Sequence, residues 1–456
     1  MSNTNYITNI LNLKDNNIIF KENFYKEEKI NGITNKIFEG FLSYKPKYCP
    51  KCGVLFDNNF EKHGFIISNI KLPKVSGFNT ILKLHKQRYL CKHCNKAFTL
   101  NSNITDYGCY ISNNIKYNIA LDLTKKRSEK DIAIDNNVSP NTVERVMDSY
   151  YDSKKLFKNY LPDVLLFDEF KSVKSASGHM SFHLCNGITG NTIDIVEDRR
   201  LLSLLRYFGR YSHKAIKNVK FIVIDMYSPY VSLIKKIFSN ALIIIDNFHL
   251  IQLISRSLNK TRIMIMKNDK INYNKLKRYW KLLLKSNDEL NYETWKKYTC
   301  FNKYMTESDV VNYIINTNEE LKHTYFVYQN LLSSIKNKDY NSFIYTLNNH
   351  SNNISSYMKT SIKTLFEFKD MIINTFNNNY HNGYIEGNNN FIKVIKRIAF
   401  GFRSFIRFKT RILICKGLLK INKKRTTDLP LFAYFIINLI CIIFLIKNIT
   451  CYYNFN

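Results

Sequence analysis

Three acidic residues, far apart in the sequence, stand where they could hold metal ions. Asp168 and Asp225 each end a short apolar run, and Glu386 stands near the start of a helical pattern. An apolar run that ends in Asp is typical of a buried strand that brings a carboxylate to the edge of a sheet. Two divalent ions about 4 Å apart, held by such oxygens, stabilise the attacking and leaving oxygens of a phosphodiester. Any one strand can end in Asp beside a turn, but the combination predicts a two-metal site that cleaves DNA.

Asp246 also ends an apolar run and competes with Asp225 for the place of second metal ligand. His249 follows three residues later, where its ring could contact the scissile phosphate or the metal end of the sheet. The alternative is that Asp246 caps a helix and that His249 is buried.

The patterns around these acids predict the sheet that positions them. Five strands are expected, at residues 164–170, 180–188, 192–198, 220–225 and 241–246. With helices after the third, fourth and fifth strands, this order is that of a ribonuclease-H-like domain, in which the first and fourth strands are neighbours. Asp168 and Asp225 would then lie side by side and would repel each other unless cations neutralise them. Residues 256–375 have mostly helical periodicity and would form an insertion before Glu386.

Four cysteines in two CxxC pairs predict a structural zinc site. The four thiolates of a tetrahedral site would come from Cys49, Cys52, Cys91 and Cys94. Because every position would be occupied by Cys, none is left open for catalysis. Residues 53–90, between the pairs, contain alternating stretches that are typical of ribbon strands. Redox-active or metal-free cysteines are the alternative.

Residues 128–147 predict two short helices joined by a turn. The first helix would begin at Ser128, and Ser139 as N-cap followed by Pro140 would start the second. This pattern favours a helix-turn-helix, with an ordinary helix hairpin as the alternative. The residues expected on the DNA-facing surface are Asn141, Thr142, Glu144 and Arg145.

The stretch after Glu386 combines an acid, an amide and cations on one helical face. Glu386, Asn390, Lys393 and Arg397 recur at spacings of four, three and four residues. Such a helix would hold metal at one end and follow a DNA backbone along its length, although a solvated amphipathic helix is the alternative. The DNA contacts expected in this region are Asn390, Lys393, Lys396, Arg397 and Arg403.

The overall charge favours a polyanionic partner. The 456 residues include 68 Lys and Arg against 36 Asp and Glu, a formal charge of +32. Nucleic acid is the first partner that such a charge indicates, and an anionic membrane surface is the second. Ten cysteines, mostly scattered, suit a reducing cytoplasm, and no signal peptide is evident near Met1. We therefore expect a cytoplasmic protein.

Taken together, these motifs resemble those of bacterial DDE transposases, most closely the insertion-sequence family named ISL-three. The resemblance runs from Cys49 to about Lys420. It rests on Asp168-Glu-Phe, Asp225-Met-Tyr-Ser-Pro-Tyr230, Asp246-Asn-Phe-His249 and Asn382-Gly-x-x-Glu386-Gly-x-Asn-x-x-Ile-Lys-x-x-Lys-Arg397. It implies that Asp168, Asp225 and Glu386 are the metal-binding triad. Asn247 departs from the family, where a basic residue is more usual, which puts a phosphate contact there in doubt.

The predicted function is that of a transposase with two Mg²⁺ or Mn²⁺ ions and a structural Zn²⁺. Water would cleave the phosphodiester at the end of the element, and the freed 3′-hydroxyl would attack target DNA. The expected partners are double-stranded DNA, both terminal inverted repeats and target, and a second copy of the chain in at least a homodimer. No small-molecule substrate is expected, and the protein would act at the bacterial nucleoid. The alternatives are a DNA-binding regulator on an inactive nuclease fold and a structure-specific junction nuclease.

The predicted fold class is α/β, a ribonuclease-H-like catalytic domain with a helical insertion, preceded by an all-Cys zinc ribbon and a helix-turn-helix. The expected segments are 1–45, a short helix and linker; 46–105, zinc ribbon; 106–160, helix-turn-helix; 161–255, first part of the catalytic core; 256–375, helical insertion; 376–425, final helices of the core; and 426–456, an atypical apolar tail. Residues 429–446 carry no charge and barely reach the length of a membrane span. An altered reading frame or foreign terminus is preferred over a membrane anchor.

Overall fold

The computed structural model describes residues 3–56, 60–150 and 159–419. The chain divides into two compact units. Of the described residues, the first unit holds those up to Tyr150 together with 394–402 and 406–419, and the second holds 159–393 and 403–405. The predicted zinc-ribbon and helix-turn-helix segments therefore belong to one unit.

Six strands form the sheet of the first unit, after a short helix. The elements are α1 (Asn3–Ile10), β1 (Ile18–Ile19), β2 (Tyr25–Ile30), β3 (Ile33–Leu42), β4 (Phe60–Val75), β5 (Phe78–Cys91) and β6 (Lys96–Thr99). The strand order is β1-β3-β5-β4, with β2 paired to β3 and β6 paired to β5. Leu42, Leu82 and Leu84 are fully buried in the core of this unit. The alternating apolar positions of β3 and β5 thus supply one face of the sheet.

The N-terminal residues differ from the prediction of a short helix followed by a linker. The helix is present, but residues 18–42 include three strands of the sheet, so the predicted linker is wrong. β2 and β3 form a hairpin whose turn residues, Asn31 and Gly32, have positive φ angles of 50° and 79°. Such angles are required at both central residues of a two-residue type I′ turn. β3 then pairs in parallel with β5, a contact between distant segments that no local pattern predicts.

Three short helices follow the sheet, namely α2 (Asn113–Leu123), α3 (Glu129–Asp135) and α4 (Pro140–Asp148). The predicted start of α3 is confirmed, because Ser128 Oγ accepts the N–H of Asp131 at 3.1 Å. Ser139 precedes α4 and Pro140 is its first residue, as predicted. Ile132 and Val143 are fully buried between the helices.

A C-terminal helix, α17 (Phe405–Cys415), packs against these three helices within the first unit. Ile414 joins their apolar core. Arg411 is only 2% exposed, and its guanidinium donates to the backbone oxygens of Lys125 and Arg127 at 3.1 and 2.7 Å. A helix almost 300 residues later in the sequence therefore supplies the hydrogen-bond donor for the loop between α2 and α3.

Replacing Arg411 with methionine is expected to lower the free energy of unfolding by about 3 kcal/mol. The substitution removes the guanidinium donor from two backbone carbonyl groups and the cation near the buried carboxylate of Glu129, whose pKa is raised by burial against the opposing charge of Arg411. Denaturant unfolding measures the loss. Arg407→Met is the control, because Arg407 pairs with Glu144 and Asp148 in a more exposed position and should contribute less than about 1 kcal/mol. Equal losses in the two variants would contradict this account.

The second unit is built on a five-stranded sheet. Its strands are β7 (Val164–Lys171), β8 (Met180–Asn186), β9 (Thr192–Val196), β10 (Phe221–Ile224) and β11 (Leu242–Ile245). The order is β11-β10-β7-β8-β9, in which β7, β10 and β11 are parallel and β8 and β9 are antiparallel to their neighbours. The first and fourth strands are therefore neighbours, as the sequence predicted.

Helices cover both faces of this sheet and form the insertion. They are α5 (Leu201–Phe208), α6 (His213–Lys217), α7 (Ser228–Ile237), α8 (Asn247–Asn268), α9 (Tyr273–Arg278), α10 (Trp280–Leu283), α11 (Glu307–Ile315), α12 (Glu319–Lys336), α13 (Tyr340–Asn348), α14 (Ser356–Glu367), α15 (Lys369–Asn377) and α16 (Gly383–Ile398), with a hairpin of β12 (Lys296–Tyr298) and β13 (Lys303–Met305). On one face, Phe167 packs against Phe182 and Phe208. On the other face, Ile385 of α16 packs against Leu166. Burial on both faces explains why β10 and β11 are entirely apolar.

In the part of the chain that the structure describes, no helix has the length and apolar character needed to cross a membrane. The uncharged stretch 429–446 lies outside the described residues.

Candidate active site

Asp168 lies within β7, and Asp225 directly follows the neighbouring parallel strand β10. Leu166 of β7 pairs with Val223 of β10, and each acid lies two residues beyond this pair. Because successive side chains alternate between the faces of a strand, each acid shares a face with its paired neighbour. That face is the one covered by Ile385 of α16. The structure thus brings these two acids together beside the helix that carries Glu386.

The electrostatics of this edge favour a cation. Burial and the negative charge of Asp225 raise the pKa of Asp168 to about 7. His249 Nε2 lies 2.8 Å from Asp225 Oδ1, an ion-pair distance. Burial disfavours the charged form of His249, but the contact with Asp225 and the charge of Asp246 raise its pKa overall. The histidine therefore offsets part of the acidic charge, and among the described residues no Lys, Arg or His forms an ion pair with Asp168 itself.

Asp246, the rival of Asp225, has a different environment. Its residue is 4% exposed, and its Oδ1 accepts the backbone N–H of Asn382 at 3.1 Å. Burial raises the pKa of Asp246, and the hydrogen bond from the Asn382 N–H offsets part of this rise. The side chain of Asp225, in contrast, is 23% exposed. Asp246 thus anchors the segment before α16, while Asp225 remains open to a ligand.

Helix α16 is tied to strand β7 on both sides of Glu386. Before Glu386, the amide of Asn382 donates to the backbone oxygen of Phe167 at 3.4 Å. After it, the amide of Asn389 donates to Asp168 Oδ2 at 2.6 Å. Glu386 itself is exposed. The third acid therefore lies on a helix that is hydrogen-bonded to the strand of the first.

The three acids do not form a closed cluster. Among the described residues, the only group of three or more possible metal ligands within 4.8 Å of one another is the set of four cysteines. Asp168 and Asp225 are adjacent, and Glu386 is brought to the same face of the sheet without joining them at that distance.

The chemistry of the site fits divalent cations of the Mg²⁺ or Mn²⁺ type. These ions prefer carboxylate oxygens, which Asp168, Asp225 and Glu386 provide. Asp225 Oδ1 is buried and accepts no hydrogen bond of normal geometry from the described residues, with only the His249 ring against it. A cation would satisfy this oxygen and would also favour the ionised form of Asp168.

Without added Mg²⁺, the contribution of Asp168 to the stability of the protein is expected to fall as the pH rises from about 4 to about 7. The pKa of Asp168 is about 7 in the folded protein and about 4 in an unfolded chain. Across this window the folded state holds a proton that the unfolded state has lost, so raising the pH favours unfolding. The stabilising contribution of this proton on Asp168 is complete below pH 4 and lost above pH 7.

Other carboxylates titrate in the same window, so the measurement is a comparison with Asp168→Asn, which lacks this titration. The difference between the two unfolding midpoints should change from pH 4 to pH 7 and then stay constant. A difference that does not vary with pH would contradict the raised pKa of Asp168.

The two CxxC pairs meet in the first unit, as predicted. The sulfur atoms of Cys49 and Cys94 are 3.9 Å apart, and those of Cys52 and Cys91 are 3.8 Å apart. Two thiolates about 2.3 Å from a tetrahedral zinc ion lie about 3.8 Å apart, so this spacing fits zinc. The residue after each pair has a positive φ angle, 76° at Gly53 and 51° at Asn95. These left-handed positions turn the chain back beside each pair, which glycine and asparagine tolerate best.

The expected DNA-facing residues of α4 are only partly on its surface. Asn141 and Arg145 are exposed. Thr142 is buried at 7% exposure, and its hydroxyl lies 3.1 Å from Ser139 Oγ, so its side chain faces the helix core rather than DNA. Glu144 is half-buried and paired with Arg407.

The polar face expected on α16 is present. Glu386, Asn390, Lys393 and Arg397 are all exposed, and Lys393 Nζ donates to Asn390 Oδ1 at 3.2 Å. Of the other two cations expected to bind DNA, Arg403 is exposed and Lys396 is half-buried.

Two residues that contact the site were missed from the sequence. Asn389 contacts Asp168; it is part of the motif that carries the family resemblance, but the helical spacing from Glu386 favoured the neighbouring Asn390 as a site residue. His183, in β8, contacts Asn389. It gave no signal, because a single histidine in an apolar strand is more often a core residue.

Comparison with known families gives the class of the protein. Residues 165–412 match the model of the ISL3 (ISL-three) family of DDE proteins, described as "Transposase". Residues 45–94 match a second model, described as "zinc-finger of transposase IS204/IS1001/IS1096/IS1165". Because the first match covers more than half of the chain, the chain belongs to this transposase family. The family resemblance and the zinc ribbon predicted from the sequence are confirmed.

The chain is also similar to a curated protein from Lactococcus lactis subsp. lactis named "ATP-dependent protease". The two are 40% identical over 114 residues, which is 25% of this chain and 36% of that protein. The matched part of this chain thus spans about a third of the length of that relative.

Proposed function

We propose that this transposase binds the terminal inverted repeats of an insertion sequence and catalyses metal-dependent cleavage and transfer of DNA strands. The observation that carries the proposal is the adjacency of Asp168 and Asp225 on parallel strands, on the face covered by the helix of Glu386. The strand order supports a ribonuclease-H-like core, and the caps of α3 and α4 support a helix-turn-helix.

Asp168, Asp225 and Glu386 would hold the metal ions. When bound, two Mg²⁺ or Mn²⁺ ions would activate water and stabilise the charge on the attacking and leaving oxygens. Glu386 is exposed and unengaged by the acids of the sheet, so its side chain can turn toward them when a ligand is bound. His249 would orient Asp225. The same site would serve cleavage at the element's end and attack by the freed 3′-hydroxyl.

Asp225 is preferred over Asp246 as the second ligand. The carboxylate of Asp246 is buried and engaged by the backbone of Asn382, whereas that of Asp225 is partly exposed beside Asp168. A carboxylate that already anchors the backbone has less freedom to bind an ion.

DNA contacts are proposed for two surfaces. On α16 and the loop after it, the exposed cations Lys393, Arg397 and Arg403 would pair with phosphates. On α4, exposed Asn141 and Arg145 would approach the bases. Because two element ends must be joined, we propose that at least a dimer acts on DNA.

The name of the Lactococcus lactis relative would suggest ATP-driven proteolysis, which is not proposed for this chain. The sequence contains no G-x-x-x-x-G-K-[S/T] phosphate-binding loop.

The proposal is tested with purified protein, Mg²⁺ and labelled DNA taken from the regions that flank its own gene. Cleavage at one position, leaving a 3′-hydroxyl, is expected on flanking DNA and not on unrelated DNA of the same length. Binding without cleavage would favour the regulator on an inactive nuclease fold. Cleavage of branched DNA regardless of sequence would favour the junction nuclease.

A further inference from the structure

A chain of buried hydrogen bonds runs from strand β9 to the acidic edge of the sheet. Thr192 Oγ1 lies 3.0 Å from His183 Nε2, and His183 Nδ1 lies 2.7 Å from Asn389 Oδ1. The Asn389 amide then donates to Asp168 Oδ2 at 2.6 Å. The histidine is fully buried, and Thr192 and Asn389 are 2% and 5% exposed. This hydrogen-bond network therefore lies beneath the site and is not part of its surface.

The partners fix the direction of each hydrogen bond. The ionised carboxylate of Asp168, which is the form that would bind a cation, only accepts, so the Asn389 amide nitrogen then faces Asp168 and its oxygen faces His183. A neutral His183 ring then donates from Nδ1, and its Nε2 accepts from the Thr192 hydroxyl at 3.0 Å or from the Cys185 thiol at 3.3 Å. Turning the Asn389 amide over would set its oxygen against the carboxylate oxygen.

The network leaves Asp168 able to bind an ion. Asp168 Oδ1 accepts the backbone N–H of Glu169 at 2.7 Å, and Oδ2 accepts from Asn389. Each carboxylate oxygen can accept more than one hydrogen bond or ligand, so both oxygens retain capacity for a cation. The two bonds fix the rotation of the carboxylate.

The network also controls the position of the third acid. Asn389 follows Glu386 by three residues, so the two lie on adjacent turns of α16. Any loss of the contact between Asn389 and Asp168 frees the helix to shift relative to β7. Displacements of about 1 Å at a reacting centre can cost about 10²-fold in rate.

We infer that His183 and Asn389 are positioning residues that orient Asp168 and set its separation from Glu386, so that both can hold the same pair of ions. This inference rests on the proposed function. His183 acts through Asn389, and Asn389 acts through Asp168. Residues that orient metal ligands in this way typically change metal affinity by about 10–100-fold when they are replaced.

The experiment measures Mn²⁺ binding to the full-length, zinc-loaded protein by electron paramagnetic resonance, with cleavage of flanking DNA as a second readout. Asn389→Ala is expected to weaken Mn²⁺ binding by about 10–100-fold. Cleavage should fall at low Mn²⁺ and recover partly at high Mn²⁺, while the affinity for DNA stays unchanged.

Asn388→Ala is the matched control. Asn388 is buried on the same helix, but its amide donates to the backbone oxygen of Gly190 at 2.7 Å and to Cys185 Sγ at 3.5 Å, and not to an acid. Asn388→Ala should therefore lose stability but retain Mn²⁺ affinity.

Two variants of His183 test the direction of the network. In His183→Asn the amide nitrogen can occupy the place of Nδ1 and donate to Asn389, so Mn²⁺ affinity should stay near that of the unmodified protein. In His183→Gln the amide reaches the place of Nε2 instead, so the affinity should fall as in Asn389→Ala.

Unchanged Mn²⁺ affinity in Asn389→Ala, or equal affinities in the two His183 variants, would overturn the inference. Asp168→Ala and Asp225→Ala separate this failure from failure of the proposed function. If these two variants lose Mn²⁺ binding while Asn389→Ala keeps it, only the positioning role is wrong. If neither loses Mn²⁺ binding, the proposed metal site is wrong and the positioning role is overturned with it.

Discussion

Asp225→Asn is expected to lower the rate of DNA strand cleavage by about 10³-fold or more, because a neutral amide cannot hold the charge of a divalent ion. The substitution keeps the size of the side chain at the end of β10, so the sheet should remain folded. Asp225 is also the ion-pair partner of His249, whose charge would no longer be balanced there. Cleavage of labelled flanking DNA in Mg²⁺ measures the effect, and fluorescence anisotropy should show unchanged DNA binding.

Asp246→Asn is the matched control for this prediction. The amide oxygen of asparagine can still accept the N–H of Asn382, the contact that Asp246 makes, so cleavage should fall by less than about tenfold. If Asp246→Asn abolished cleavage and Asp225→Asn did not, Asp246 would be the second ligand and the preference for Asp225 would be wrong.

Loss of zinc is expected to unfold the cysteine-bearing part of the first unit and to abolish binding to the element's ends. The combined substitution Cys49→Ser and Cys91→Ser removes one thiolate from each CxxC pair, and structural zinc contributes about 10 kcal/mol or more to small modules of this kind. Both residues are fully buried, and Cys91 is the last residue of β5. The loss should therefore spread into the sheet.

Metal content and thermal unfolding measure this effect, together with binding of flanking DNA. Cys109→Ser serves as the control, because Cys109 belongs to the same unit but not to the four-cysteine group. It should retain one zinc per chain and normal DNA binding. A double variant that kept its melting temperature and its DNA binding would show that zinc does not stabilise this unit.

The four-cysteine site and the acidic site depend on metal in different ways. The cysteine sulfurs already lie at the spacing of a tetrahedral ion, so metal there is part of the fold. The acids are kept apart from a closed cluster, and the pKa of Asp168 is raised to about 7 by burial and by Asp225. Divalent ions at the acidic edge would therefore be exchangeable partners of the reaction rather than supports of the fold.

The features that depend on neighbouring residues could be predicted from the sequence alone. Apolar runs that end in Asp gave the strands β7, β10 and β11 and the positions of their acids. The caps Ser128 and Ser139 gave the starts of α3 and α4, and the two CxxC pairs gave the four-cysteine site. In each case the physical cause acts within a few residues, through side-chain alternation, capping or turn geometry. The Asn31-Gly32 hairpin belongs to this group, although its signal was overlooked.

The contacts between segments that are distant in the sequence are known only from the tertiary structure. The bond between Asn389 and Asp168 joins residues 221 positions apart, and that between Arg411 and Arg127 joins residues 284 positions apart. The parallel pairing of β3 with β5, the burial of Thr142 and the engagement of Asp246 by Asn382 are of the same kind. Such contacts form only where folding brings buried polar groups within reach of a partner, and burial then makes the partner obligatory. No pattern along the chain specifies which of several suitable side chains that partner will be.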